Sequence, residues 1–501
     1  MLKVIFFIGC VFLSLFLFIE NFICNSADVL LRHFPLDNPE AVIFTLTHNV
    51  AGAEKVLTII LEPYIARSIE RSIVIIGVLI LFSVLFGIKR KKSILQNSLL
   101  FLLIVLSFIN VVLFVIIAKK IPLVDYFNEY CVINAGDEEN RLYDRDYVFP
   151  DSVTIDFNDR RNLIFLVLES MEYNFQDSAN GGNLKENLIP EITQYMKSEK
   201  NVSFVPGGIT VKGTGWTIGE VVAKTCGVPL MMPLDVNTDG IRNFMGGAVC
   251  LTDLLKKKGY SISFIQGTNK RFASTDYFLE THGLGKADIY DKNYLEKKGY
   301  RVADTSFFLS ISDRDLYKES KRIIDSINQK NSDWAVFIFT MNTHGPYGRL
   351  DSGCVEVPKP IKKEMQYPYV LKCASKQVDE FLKWSKKQSW YDNTTIAVMG
   401  DHPAMVSKSA VNYPEREFER FWLNFFINSS VSKPGRTNRS FTSFDMFPTV
   451  LEAMGAKIDG HALGLGRSLF SDEKTLIEKE GKDSLNAMLQ RKGKMYNYLW
   501  E

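Results

Sequence analysis

The sequence predicts an α/β sandwich with a mainly parallel central sheet, carried behind a group of transmembrane helices. Three observations predict it. The longest apolar runs crowd into the first 118 of 501 positions. Beyond them, the continuous apolar segments Asn162 to Glu169, Trp334 to Met341 and Thr394 to Gly400 recur between helical patterns. At least two of these segments, moreover, run directly into carboxylate or histidine side chains. Uninterrupted apolar runs of this length suit strands buried on both faces, and their alternation with helices is the pattern of an α/β fold.

The membrane part comes first in the chain. A bilayer crossing takes roughly 20 residues, and three runs approach or reach it, at about 4–23, 73–88 and 99–118. The turn Lys89-Arg90-Lys91-Lys92 separates the second from the third and is cytoplasmic by the positive-inside rule. A loop over 25–70 and everything after the third run then lie outside, with Lys119-Lys120 a mild counter-signal. A cleaved signal peptide is the alternative for the first run, but its length favours an uncleaved anchor. Residues 1–120 are thus expected to form a membrane domain with three spans.

Charge narrows the partners. The 59 Lys and Arg nearly balance the 57 Asp and Glu, so no global field points to nucleic acid. Five cysteines fall in the exported part, where disulfides persist. Cys226 with Cys250 and Cys354 with Cys373 are the preferred pairs, buried free thiols are the alternative, and Cys131 is left over.

Residues 121–160 read as a polar linker containing Asn134-Ala-Gly-Asp-Glu-Glu-Asn-Arg141. The α/β domain follows over 161–472. Ser261 to Ile265 adds a weaker strand, and helical patterns appear in part of Ile241 to Lys258, over Asp315 to Asn328 and over Ser375 to Ser389. The last stretch, 473–501, reads as a charged, helical, solvated tail.

Ligands gather at the carboxyl ends of parallel strands. Glu169 ends the first run, and Asp401-His402 follow the third. Carboxylates and a histidine on one such edge are the oxygen and nitrogen ligands that manganese, zinc or magnesium accepts. Alone, a Glu at a strand end is usually a cap or a solvated charge and a lone His usually structural; their shared edge makes them stronger. The stretch Gly213-Thr-Gly-Trp-Thr-Ile-Gly-Glu220 looks like a loop entering a helix, where N–H groups and the helix dipole suit phosphate. A metal-coordinated Thr217 there would be a nucleophile; an ordinary helix N-cap is the alternative, and Thr214 competes for the role.

Taken together, Leu166-Val-Leu-Glu169-Ser, Gly215-Trp-Thr217-Ile, Asn342-Thr-His344-Gly-Pro and Met399-Gly-Asp401-His402 resemble the sulfatase-like phosphoglycerol transferases of the alkaline phosphatase superfamily, the group that also takes in the lipoteichoic acid synthases. Cys226-Gly-Val-Pro-Leu, Ile265-Gln-Gly-Thr-Asn-Lys-Arg-Phe-Ala, Thr281-His-Gly and Ala41-Val-Ile-Phe-Thr-Leu-Thr extend the likeness over most of 40–470. The resemblance implies an extracytoplasmic sulfatase-like domain with one divalent cation, manganese first and zinc or magnesium as alternatives, held by Glu169, Thr217, Asp401 and His402. It implies that Thr217 becomes phosphorylated and that His344 faces the phosphoryl group or the leaving oxygen. By position, Gln266, Arg271 and Asp276 look like head-group contacts, with Lys270 as a substitute; structural roles compete evenly. His461 is expected to be structural, and His282 is left without a role.

The activity implied is transfer of phosphoglycerol from phosphatidylglycerol to an envelope glycan, a periplasmic glucan first, by a multi-pass protein of the bacterial inner membrane with its catalytic domain in the periplasm. The chain stops soon after Gly464-Leu-Gly-Arg-Ser-Leu and has three spans, fewer than such a relative would have, which leaves the acceptor open. Phosphoethanolamine transfer to lipopolysaccharide or another glycan is the second reading, disfavoured because Trp216 rather than a Cys-Gly pair precedes Thr217. A non-catalytic glycan-binding anchor is the third. Sulfatase chemistry is disfavoured because no Cys or Ser followed by Pro and Arg surrounds Thr217.

Overall fold

The computed structural model describes residues 141–501, apart from 158, 232–241, 306–307, 331–332, 359, 432–434 and 492, together with isolated positions 70, 112 and 115. The three expected spans, the outer loop and Cys131 otherwise lie outside the described residues. Among the described residues no helix is long and apolar enough to cross a membrane. All described residues from 141 onward belong to one compact unit.

Eight strands form the central sheet: β1 (Asn162–Leu168), β2 (Val202–Val205), β3 (Ser261–Gln266), β4 (Ile289–Tyr290), β5 (Trp334–Phe339), β6 (Thr394–Gly400), β7 (Asn424–Ile427) and β8 (Gly435–Asn438). Their order is β8-β2-β7-β6-β1-β5-β3-β4. β6, β1, β5, β3 and β4 are mutually parallel, and β7 alone runs against its neighbours. The four expected strands are all present, and three of them, β6, β1 and β5, stand side by side at the centre.

The reason these runs are uniformly apolar is visible in the two cores. Phe165, Val167, Phe337 and Met399 face one side with α2 (Thr217–Cys226), α3 (Leu251–Lys257) and α7 (Met446–Ala453). Ile164, Leu166, Ile338 and Val398 face the other with α1 (Pro190–Lys197), α5 (Asp313–Lys330) and α6 (Tyr367–Ser385). Alternate side chains enter opposite cores, so every position of β1 and β6 is buried. One further helix, α4 (Thr275–Thr281), belongs to the segment that follows β3. Both preferred disulfides are present: Cys226–Cys250 joins the end of α2 to the cap of α3, and Cys354–Cys373 fastens a loop to α6.

Two expectations need correction. The end of the chain is no solvated tail. It forms three short helices, Leu476–Glu480, Lys482–Leu489 and Lys494–Tyr498, and Leu485, Leu489 and Tyr496 in them and Leu499 just after the last are buried in the core. The Tyr496 hydroxyl accepts from Met231 N at 2.6 Å and donates to Pro229 O at 2.9 Å, clasping the segment beyond α2. A few apolar residues among many charges suffice to bury one face. Likewise the second half of the expected linker packs on the domain: Leu142 and Tyr143 are buried, and Ile155-Asp156 pair antiparallel with Lys457-Ile458.

Candidate active site

Three parallel strands deliver the site. The chain leaves β1 at Glu169, β6 at Asp401-His402, and β5 into Thr340 to His344, all at the same edge of the sheet. In-register pairing of Val167 with Met399 and with Phe339 makes these exits coincide.

Glu169, Asp401 and His402 are buried, and one ligand atom from each lies within 4.8 Å of the others. His402 Nδ1 bonds to Pro403 O at 3.0 Å, which assigns the proton to Nδ1 and turns Nε2 toward the carboxylates, 3.3 Å from Asp401 Oδ2. Asp401 Oδ1 accepts from Ser170 N at 2.6 Å and from His402 N at 2.8 Å, but the buried Oδ2 has no hydrogen-bond partner. Burial, reinforced by the charge of Asp401, drives the Glu169 carboxyl well above its ordinary range. Two buried carboxylates side by side, one with an orphaned oxygen, and an imidazole lone pair facing them are an arrangement a cation relieves. Residues and metal therefore fit.

Ser170 holds this pair together, a role that nothing in the sequence assigns to it. Its hydroxyl donates to Glu169 Oε1 at 2.7 Å while its N–H holds Asp401, and its backbone is left-handed, with φ of 54°. A non-glycine residue there carries strain of order 1–3 kcal/mol, as functional sites tend to do.

Thr217 opens α2 and is half-buried. Trp216 occupies the cap position with extended backbone and no side-chain cap bond, so Thr217 is not the N-cap. Its hydroxyl instead donates to Glu169 Oε2 at 3.4 Å. Thr214 is excluded as competitor: buried, it exchanges hydrogen bonds with the backbone of Val211 and faces its own turn.

His344 hangs on a braced loop. Asp313 accepts from Met341 N at 2.8 Å and Asn342 N at 3.0 Å, Thr340 Oγ1 accepts from Glu169 N at 3.0 Å, and the Tyr367 hydroxyl donates to Thr343 O at 2.6 Å. His344 Nδ1 bonds to Gly345 O at 2.7 Å, and burial pushes the imidazole down to about 4. A neutral ring whose Nδ1 carries the proton presents Nε2 as the basic atom.

The predicted head-group residues divide. Gln266 ends β3 in register with Phe339, and its amide turns back to Thr268 O at 3.5 Å. Lys270 and Arg271 act electrostatically on Asp276, whose carboxyl is nevertheless raised, chiefly by burial. Arg271 is exposed and Lys270 half-buried. The link from this segment to His344 is aromatic: Phe272 meets Phe308 edge-on at 4.8 Å, and Phe308 meets the His344 ring at 4.7 Å. Phe308 belongs to a hairpin, Val302–Thr305 with Phe308–Ile311, that no sequence pattern announced. His461 is held by Glu452, in line with a structural role, and His282 is held by Asp253 and Phe244 O.

Beneath the ligand loop lies another group without a sequence signal. Glu172, wholly buried, accepts from Ala404 N at 2.9 Å, the Tyr413 hydroxyl at 2.9 Å and Arg420 Nε at 2.9 Å, pinning the chain just beyond His402.

Comparison with known proteins points the same way. Residues 161–456 match the family described as Sulfatase. Phosphoglycerol transferase I of Escherichia fergusonii and of Citrobacter koseri are each 28% identical over 321 residues, 63% of this chain and 40% of theirs. The chain thus matches less than half the length of these relatives. Among solved structures, the lipoteichoic acid synthase LtaP of Listeria monocytogenes superposes with a TM-score of 0.53 at 16% identity, over 74% of this chain and 97% of its own. A protein of the alkaline phosphatase superfamily from Vibrio parahaemolyticus gives 0.50 at 19% identity, over 71% and 79%. At such identities the structural likeness concerns the fold.

Proposed function

Because the chain belongs to the sulfatase family, we propose that it is a membrane-anchored, metal-dependent phosphotransferase that moves phosphoglycerol from phosphatidylglycerol to an envelope glycan through Thr217. The observation that carries this reading is the Thr217 hydroxyl at the head of α2, 3.4 Å from Glu169, beside the buried set Glu169, Asp401 and His402. The name of the curated relatives supports phosphoglycerol as the group transferred. The family's name does not favour sulfate esters, since Thr217 stands without the Cys or Ser, Pro and Arg of a formylglycine site.

In this reading Glu169, Asp401, His402 and Thr217 hold one divalent cation, manganese first, with zinc or magnesium as alternatives. Such an ion, when bound, favours the alkoxide of Thr217 and offsets charge on the phosphoryl oxygens. Thr217 Oγ1 attacks phosphorus, the P–O bond to diacylglycerol breaks, and the proton lost by the threonine is in net the one gained by diacylglycerol. The N–H groups at the start of α2 face the transferred group. An acceptor hydroxyl then attacks the phosphorus of the phosphothreonine, the P–Oγ1 bond breaks, His344 Nε2 takes the hydroxyl's proton, and in net that proton passes to Oγ1, restoring Thr217 and a neutral His344. Catalysis rests on positioning and electrostatics, as in phosphoryl transfers generally. Gln266, Lys270, Arg271 and Asp276 are assigned to the head group.

The three apolar runs and the basic turn at Lys89 support a multi-pass protein of the bacterial inner membrane with the site in the periplasm, beside a donor that stays in the bilayer. A periplasmic glucan is the first acceptor. Detergent-solubilised full-length protein with manganese is to be given phosphatidylglycerol or phosphatidylethanolamine, and diacylglycerol release followed for wild type and Thr217→Ala. Release from phosphatidylglycerol that the substitution abolishes is expected. Preference for phosphatidylethanolamine would replace the donor, and no Thr217-dependent release from either would leave the glycan-binding reading.

A further inference from the structure

The helix that begins with Thr217 carries a buried ion pair on the same face. Glu220 and Lys224, three and seven positions on, are each 1% exposed and pair with one another across one helical turn. The Lys224 ammonium has its surroundings fully committed. Besides Glu220 it donates to the main-chain oxygen of Asp401 at 2.9 Å and stands 4.1 Å from the centre of the Trp422 ring. Glu220 in turn accepts from the Ser443 hydroxyl at 2.5 Å. One residue pair therefore ties the threonine helix to the Asp401 loop, to a buried tryptophan and to the turn that leads into α7.

Stability is a poor reason for such a pair. Desolvating two charges offsets most of their attraction, and apolar replacements of similar volume are often neutral or stabilising. The contacts have a geometric consequence instead. Asp401 is held by its side chain from Ser170 and His402, and by its main chain from Lys224. Thr217 is held by the helix of which Lys224 is a part.

We infer that Lys224, with Glu220 as its counter-charge, is a positioning residue that sets the register between Thr217 and Asp401 and thereby between nucleophile and cation. The inference rests on the proposed function for its kinetic arm only. A main-chain tether acts on where Asp401 sits; a shift on the order of an ångström at such a site lowers rate by about two orders of magnitude.

The test uses full-length protein in detergent. Manganese dissociation constants are to be measured by equilibrium dialysis, with thermal melting and diacylglycerol release alongside, for wild type, Lys224→Met and the double variant Glu220→Leu with Lys224→Met. Lys224→Met alone strands a buried carboxylate and can unfold the protein, which is the reason for the double variant. In the double variant the melting temperature is expected to hold or rise, manganese binding to weaken at least tenfold, and kcat to fall about 100-fold with KM for phosphatidylglycerol within about twofold. A folded double variant with manganese affinity within about twofold of wild type overturns the inference. So does a double variant that fails to fold, because the pair would then be structural. If wild type releases no diacylglycerol from any donor, the proposed function falls while the manganese measurements still decide the role of Lys224.

Discussion

Ser170 bonds to both carboxylates of the candidate metal-ligand set, through its hydroxyl to Glu169 at 2.7 Å and through its N–H to Asp401 at 2.6 Å. It does so from a left-handed backbone, with φ of 54°. Ser170→Ala removes one bond to a charged acceptor, worth about 1.5–3 kcal/mol, and is expected to weaken manganese binding about tenfold. Ser170→Gly loses the same bond but relieves the backbone, so it should match Ala in metal affinity and exceed it in stability by about 1 kcal/mol. Isothermal titration and urea unfolding of the two variants check this.

Thr217 is the first residue of its helix and not the cap. Its removal should therefore leave stability within about 0.5 kcal/mol, the usual range for a position without a special structural role. Thr217→Ala is expected to abolish diacylglycerol release by at least about three orders of magnitude, and Thr217→Ser to retain a measurable fraction. A parallel loss of melting temperature would assign the threonine to the fold.

Removal of metal should destabilise the domain. The buried Asp401 Oδ2 has no hydrogen-bond partner, and Glu169 is raised by burial and by Asp401. A cation bound only by the folded state contributes about 2.7 kcal/mol at 100 times its dissociation constant. Chelation is expected to lower the melting temperature and manganese to restore it, with Asp401→Asn insensitive to both.

Asp313 braces the His344 loop by accepting from Met341 N and Asn342 N, and burial raises its carboxyl to about 7. The folded pKa thus exceeds that of the unfolded chain, near 4. Stability from this group is complete below about pH 4 and is lost as pH rises through about 7, because the folded state keeps a proton that the unfolded state has released. Urea midpoints should fall from pH 5 to 7.5 in wild type and change less in Asp313→Asn.

The ring packing around His344 gives a further contrast. Phe308 seats its ring at 4.7 Å and couples it to Phe272. Phe308→Leu keeps the apolar volume but removes the aromatic contacts, each worth about 0.5–1.5 kcal/mol. It is expected to lower kcat several-fold with little change in manganese affinity, measured by release kinetics and dialysis.

Much of the candidate site is legible in the chain itself. Glu169, Asp401 and His402 can be read because each follows an apolar strand, and strand ends in a parallel sheet converge. Thr217 can be read as a candidate from the glycine-flanked loop that runs into a helix, though the structure separates it from Thr214 by its 3.4 Å bond to Glu169 and by Thr214's bonds to Val211. Lys224, Glu172 and Phe308 cannot be read. Their partners, Asp401, Ala404 and His344, lie 177, 232 and 36 positions away, and nothing local in the chain marks such pairs.

What the sequence alone determined is what local periodicity and residue chemistry determine: the central strands, the helices between them and the candidate ligand types. The tertiary structure alone decided the register that brings three strand exits to one point, the burial of the last helices, and the tethers that hold Asp401 and His344. The physical reason is range. Apolar period and turn chemistry act over a few residues, whereas desolvation and hydrogen bonding of a buried group depend on which distant segments the packed sheet brings against it.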